Sequence, residues 1–384
     1  MFCFQRASGA EFRSQSPLFR LEEFCHGLLA VLLLAALPLF AAQPLVVCTS
    51  GNCTVTISGS GPAAGRLRVN AQGPVTFEGG VGSTLAYTVQ VTVPKRNAAV
   101  AARELAGSPI HLERRGEWTV LAAPATAAGA AVTIKAPRLS GLEISTTDGP
   151  VQVSHIAGDA RLTAVSGDIR AGQVDGTLHC TTGAGRISVQ DVRGDAVLES
   201  SGGDIAVTAA GRGVRAETGA GGIHIGSAGG AVTAVTTGGE IVIGKAGGSV
   251  TVRNIAGPVQ VGSASGVHCE LASGGVRLAN VAGPLRVSTA RGSIMASFLG
   301  SHAGDSFLST GNGDITVTIP SNLKVTIQAQ DNMADTLKRI LSDFPGIAVR
   351  REGTRVVAQG AVNGGGPLLQ LSAMGGTIFI KRGK

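Results

Sequence analysis

The fold is decided by GRISVQDVRGDAVLESSGGDIAVTAAGRGVRAETGAGGIHI, Gly185–Ile225. Count this stretch in nines, backwards to Gly149 and forwards to Gly266. The slots are Gly149, Gly158, Gly167, Gly176, Gly185, Gly194, Gly203, Arg212, Gly221, Gly230, Gly239, Gly248, Gly257 and Gly266. Thirteen of fourteen are Gly, where 57 Gly in 384 residues would give about two by chance. Arg212, the exception, is flanked by Gly211 and Gly213. The ruler is therefore a repeat and not a by-product of composition.

Odd and even slots differ, so the unit is eighteen residues. Odd slots lead into Val151/Val153, Ile169/Ala171, Ile187/Val189, Ile205/Val207, Ile223/Ile225, Ile241/Ile243 and Val259/Val261. Even slots lead into Ala160/Leu162, Leu178/Cys180, Ala196/Leu198, Val214/Ala216, Val232/Ala234 and Val250/Val252. Alternation over so few residues marks short strands with one buried face, and the glycines supply the turns. The residues between, such as Gln152, Arg170, Ser188, His224 and Gln260, are expected to face solvent.

Such a strand cannot bury its apolar pair alone. Stacked coils align each strand with the one eighteen residues on, giving parallel sheets about 4.8 Å apart per coil. A triangular hexapeptide helix would show three apolar peaks per coil, and here there are two. The expectation is an all-β chain: a parallel β-solenoid (β-helix), flattened, with about 18-residue coils. Val276/Leu278, Leu285/Val287, Ile294/Ala296 and Ile315/Val317 continue it with looser spacing, and a bulge or loop is expected near Ser301–Asp305.

Four regions follow. Residues 1–42 end in the apolar run Gly27–Ala42, read as a signal peptide or, alternatively, a retained N-terminal membrane anchor. Residues 43–140 form a β-rich N-terminal cap, with strands at Cys53–Ile57, Arg66–Asn70, Val75–Glu78, Tyr87–Val93, Ile110–Glu113, Trp118–Ala122 and Ala131–Ala136. Residues 141–320 are the solenoid repeats. Residues 321–384 are capping strands with one short helix at Asp335–Phe344, where Met333, Leu337, Ile340, Leu341 and Phe344 fall at helical spacing.

Composition excludes several classes. Charged residues are 15% and aromatics 3%, with one Trp. Low charge with plentiful Val, Ile and Leu excludes disorder. One long apolar run excludes a multi-span membrane protein. The net charge is +7, but no basic cluster exceeds Arg114-Arg115 or Arg350-Arg351, so nucleic acid is not an expected partner. A mild attraction to anionic envelope surfaces is.

Chemistry is sparse. Asp159, Asp168, Asp195, Asp204 and Asp314 each follow a slot Gly. Asp168 and Asp204 lie two coils apart, about 10 Å, near an inverting-glycosidase separation. Gly-Asp is also ordinary turn chemistry, and it repeats because the turn repeats. No long loops wall a cleft, and no aromatic platform for sugar rings is evident. The seven His lack metal-ligand spacing. Calcium-nonapeptide spacing fails as well. No catalytic, cofactor-binding or metal-binding residue is assigned, and no cofactor is expected. Cys48 and Cys53 bracket a four-residue turn and are expected to form a disulfide in an oxidising compartment. Cys180 and Cys269, about 24 Å apart along the stack, are expected to be buried core residues.

The stretch VTIKAPRLSGLEISTTDGPVQVSHIAGDARLTAVSGDI, Val132–Ile169, resembles a bacterial putative-adhesin family of β-strand-repeat proteins, a domain-of-unknown-function family. So do SDFPG, Ser342–Gly346, and the ending GGGPLLQLSAMGGTIFIK, Gly364–Lys381. The resemblance spans about residues 130–384 and implies an extracytoplasmic β-solenoid with no catalytic residues to carry over.

The functional expectation is a non-catalytic adhesin or structural surface module, secreted, periplasmic or envelope-anchored. It would bind an unknown cell-surface or envelope ligand, glycan or protein, through a flat polar sheet face. Membrane association would run through the N-terminal apolar segment. The alternatives are a carbohydrate-active enzyme, a polysaccharide lyase or hydrolase on a β-helix, and a self-assembling envelope scaffold.

Overall fold

The structure, a computed structural model, describes residues 44–383 apart from 50, 108–109, 124–128, 301–303 and 334–338. The leader, residues 1–42, lies outside the described residues. So do the start of the expected loop near Ser301–Asp305 and the first part of the expected C-terminal helix.

The chain is a β-solenoid. Two sheets of 17 strands each face one another across a narrow apolar interior. One collects the odd-slot strands and the other the even-slot strands. Ile187 pairs with Ile205, Ile205 with Ile223 and Ile223 with Ile241, in parallel and eighteen residues apart. All four are fully buried. Each such side chain contributes roughly 1.5–3 kcal/mol by leaving water. The interposed Gln152, Arg170, His224 and Gln260 are exposed, with Ser188 half-buried.

Backbone crowding explains the Gly ruler. Each odd-slot glycine lies on the one in the coil before it, so a Cβ at Gly239 would sit 2.7 Å from the Gly221 carbonyl oxygen. Gly239 also has φ +101, which side chains rarely adopt. The spacing loosens where expected. Val259 pairs with Val276, one residue short of the repeat, and Ile294 pairs with Ile315, three residues over it.

Beside the apolar ladder runs a polar one. Thr182, Ser200, Thr218, Thr236 and Asn254 are buried at equivalent positions. Each donates from its side chain to the carbonyl of an odd-slot glycine fifteen residues back: Gly167, Gly185, Gly203, Gly221 and Gly239 respectively. This satisfies carbonyls that the tight turns would otherwise leave buried and unpaired.

At both ends the stack order departs from the chain order. Strand Val75–Glu78 lies between Ala131–Lys135 and Val151–Ser154, parallel to both. Strand Arg66–Ala71 likewise lies between Trp118–Ala122 and Gly141–Thr146. At the far end, Leu368–Ala373 sits between Ser306–Asn312 and Val325–Asp331. Ile378–Arg382 sits between Ile315–Ile319 and Ile340–Ser342. A coil from the chain terminus thus locks each end.

Beyond these coils the pairing becomes antiparallel. Asn52–Gly61 pairs with Leu85–Pro94, His111–Arg115 with Trp118–Ala122, and Ala348–Glu352 with Arg355–Val362. Antiparallel pairs close three of the four sheet ends against extension by another coil, while the odd-slot sheet finishes at its far end on the short parallel strand Ile340–Ser342.

Two helical details differ from the sequence reading. Ile340–Ser342 is a strand in register with Ile378–Ile380, not the end of a helix. Ile340 is buried and Leu341 exposed, the period-two alternation of a sheet. Extension of the odd-slot sheet overrides the local helical spacing here. A helix unforeseen in the sequence, Ala98–Gly107, lies in the N-terminal region instead and buries Ala101 and Leu105. Its alanines resemble loop composition when read without their packing.

Candidate functional site

The apolar interior is filled by side chains, so polar chemistry is confined to the outer faces and the turns. The Gly-Asp repeats prove to be inter-coil clamps. Asp159 Oδ1 accepts the Thr177 N–H, Asp195 Oδ1 that of Gly213, and Asp204 Oδ1 that of Gly222, each eighteen residues on. Asp314 does the same for Thr377 of the inserted terminal coil. Asp305 holds the Leu368 N–H of that coil too.

Asp168 and Asp204, the pair nearest to a glycosidase arrangement, are separated by a cation. The Arg186 guanidinium lies between their coils and donates to Asp204 Oδ2 at 2.7 Å, while its backbone N–H donates to Asp168 Oδ1 at 3.0 Å. Asp168 Oδ2 also accepts from Arg170 at 2.9 Å. The Gly222 amide and the Arg186 guanidinium hold the Asp204 carboxyl below the usual carboxylate range. A general acid needs the opposite shift.

The histidines are dispersed. His224 pairs with Glu240 and His268 with Glu270, each at 2.9 Å on an outer face. No group of three His, Cys, Asp or Glu able to hold a metal occurs among the described residues. Cys48 and Cys53 face each other across an antiparallel pair and are joined as a disulfide, with Cα atoms 4.0 Å apart. Cys180 and Cys269 are buried free thiols. Burial pushes both thiols up, Cys269 to about 12 with help from the Glu270 charge.

Two concavities gather side chains near the N-terminal end. A notch of about 320 Å³ holds Arg138, His155, Gln173 and Asp175. His155 there adopts φ 55. Asp175 lies between Arg138, at 3.4 Å, and Arg193, at 3.2 Å, although the latter contact lacks hydrogen-bond alignment. Two guanidiniums thus neutralise the one carboxylate, and the notch holds a surface ion cluster.

The second concavity is a groove of about 460 Å³ on the outer face of the even-slot sheet. It is lined by Arg66, Trp118, Gly141, Glu143, Asp159, Arg161 and His179, among others. Register explains the assembly: Trp118, Arg66, Gly141 and Asp159 occupy one row on four successive strands. Glu143, Arg161 and His179 occupy the neighbouring outward row. Arg66 stands 5.6 Å and Arg68 5.0 Å from the Trp118 ring centre. Sequence reading missed this site because Trp118 and Arg66 become neighbours only through the out-of-order coil. The chain's one Trp, Trp118, was the available signal.

With the coils and faces in place, known proteins can be compared. Residues 198–339 match the Toastrack DUF4097 family. The resemblance read from the sequence is borne out over that stretch. The Toastrack stretch covers the regular coils and the bulge, while the Trp118 groove lies N-terminal to it. None of the curated proteins matches the chain. Similar solved structures include a putative cell adhesion protein from Clostridium sporogenes, at 11% identity, covering 85% of this chain and 100% of that one with TM-score 0.19. A putative adhesin from Bacteroides fragilis is similar at 15% identity, covering 69% and 97%, with TM-score 0.24. One from Parabacteroides distasonis is similar at 11%, covering 85% and 96%, with TM-score 0.23.

Proposed function

We propose that this chain is a non-catalytic surface module that binds a cell-surface or envelope ligand through the polar outer face of its even-slot sheet. The observation that carries the reading is the commitment of the turn carboxylates. Asp159, Asp195 and Asp204 are held by backbone amides of the next coil, and Arg186 stands between Asp168 and Asp204. A lyase or hydrolase would need such groups free and separated for substrate. The even-slot face offers instead a long array of outward charged and polar side chains, among them Glu143, Arg161, His179, Arg215 and Arg286.

An extracytoplasmic setting, secreted, periplasmic or anchored through the apolar segment before Gln43, accords with this role and with the Cys48–Cys53 disulfide. Antiparallel pairs at three of the four sheet ends argue against coil-on-coil polymerisation as the primary role. The test is a glycan array with whole-cell binding by the full chain, run beside sizing chromatography. Saturable binding by a monomer supports the reading. Filament growth without binding favours the scaffold, and polysaccharide cleavage favours the enzyme.

A further inference from the structure

Two guanidiniums without a carboxylate partner among the described residues, Arg66 and Arg161, meet in one groove of the even-slot face. Arg68 beside them is committed, since its Nε and Nη2 donate to Glu143 Oε2 at 3.0 and 2.8 Å. Arg66 stacks against Trp118 and forms no ion pair among the described residues, and Arg161 is likewise unpaired. Both line the same groove. Asp159 opposes them, but its Oδ1 is already held by the Thr177 N–H. Arg170, Arg186, Arg193, Arg215 and Arg253 of the regular coils, by contrast, each have an acidic partner.

The shape of the groove follows from one residue. Gly141 lies in the row between Arg66 and Asp159 and contributes no side chain, so the face dips there. From Trp118 to His179 the groove crosses five strands, about 19 Å at ~4.8 Å per strand. That length accommodates several sugar rings in a row.

We propose that this groove binds an acidic oligosaccharide, a chain of uronate sugars, lying along the stack. The inference rests on the surface-binding reading above and names its ligand. Arg66, its guanidinium carbon 5.6 Å from the indole centre, supplies one fork, and Arg161 a second about two strands away. Each fork can take a sugar carboxylate through two parallel charge-assisted hydrogen bonds. Glu143 Oε1 and Asp159 Oδ2 remain to accept sugar hydroxyls. The spacing of arginines along the coils suits a polymer that carries one carboxylate per sugar. An acidic peptide would satisfy the arginines and leave these acceptors facing its own carboxylates.

Trp118 is the one Trp of the chain, so its fluorescence reports this groove directly. The full chain is titrated with a hexamer of galacturonate, with the carboxyl-reduced hexamer and with a poly-glutamate peptide as controls. The expected result is a saturable change in Trp118 emission with the uronate alone. Arg161→Ala should weaken it about tenfold or more. Gly141→Gln, whose Cβ would meet only the flexible Arg66 side chain, should fill the groove and abolish the change with the circular dichroism spectrum retained. For Trp118→Phe, calorimetry replaces fluorescence, and weakened binding is expected. Equal response to the neutral hexamer, equal response to the peptide, or full affinity in Arg161→Ala would each overturn the proposal. Whole-cell binding that persists in Gly141→Gln would overturn the groove while leaving the surface-binding reading in place.

Discussion

Thr218 Oγ1 donates to the carbonyl oxygen of Gly203, fifteen residues earlier, at 2.8 Å inside the stack. The same hydroxyl accepts the Gly221 N–H at 3.3 Å. One buried hydroxyl thus joins the odd-slot turns of two successive coils. Thr218→Val keeps the shape and removes both bonds. It leaves a buried carbonyl without a donor and should cost about 1–3 kcal/mol in urea unfolding. An unchanged midpoint would mean the polar ladder is incidental.

Gly239→Ala should be destabilising by about 2 kcal/mol or more, since φ +101 and the nearby Gly221 carbonyl both oppose a Cβ. Gly202→Ala is the matched control, because nothing lies within 4 Å of its added methyl and its φ is not in the left-handed region. Equal stability of the two variants would contradict the crowding that produces the Gly ruler.

These two positions separate what could be read from the chain from what could not. The coil length, the paired apolar residues and the run of cap strands were legible because burial imposes a period on neighbouring residues. The Thr218 ladder has that same period, yet a hydroxyl facing inward carries no hydropathy signal. The Asp clamps were legible as turns but not as links between coils, since the partner amide lies eighteen residues away. The Trp118 groove was invisible for a different reason. Its residues lie on strands Arg66–Ala71, Trp118–Ala122 and Gly141–Thr146, which stack out of chain order. No spacing rule reaches across such an exchange. The helical spacing around Ile340 misled because pairing with Ile378 decides that segment.

Acid should expose the role of Asp204. Its folded pKa is lowered by the Gly222 amide and the Arg186 guanidinium, so the unfolded chain takes up this proton more readily. Ionised Asp204 therefore stabilises the fold above its unfolded pKa, ~3.9. The contribution disappears as pH falls through the lower folded value. Asp204→Asn should be less stable than the parent at about pH 6, with the gap closing towards about pH 2. A gap that widens in acid would contradict the assignment.

Cysteine accessibility follows from the disulfide and from burial. Native protein treated with iodoacetamide at about pH 8 should leave Cys48, Cys53, Cys180 and Cys269 unmodified. Of these four, unfolding without reductant should label Cys180 and Cys269 alone. Labelling of Cys48 or Cys53 before reduction, read by mass spectrometry, would remove the disulfide from the account.

The central claim is that the even-slot face is the working surface. Whole-cell binding is measured for the full chain, for Arg161→Glu with Arg286→Glu on the even-slot face, and for Gln260→Glu with Arg277→Glu on the odd-slot face. All four residues point outward from their strands. The account predicts that the even-slot pair loses binding while the odd-slot pair binds like the parent, both variants remaining folded. Loss confined to the odd-slot pair, or undiminished binding by the even-slot pair, would contradict it.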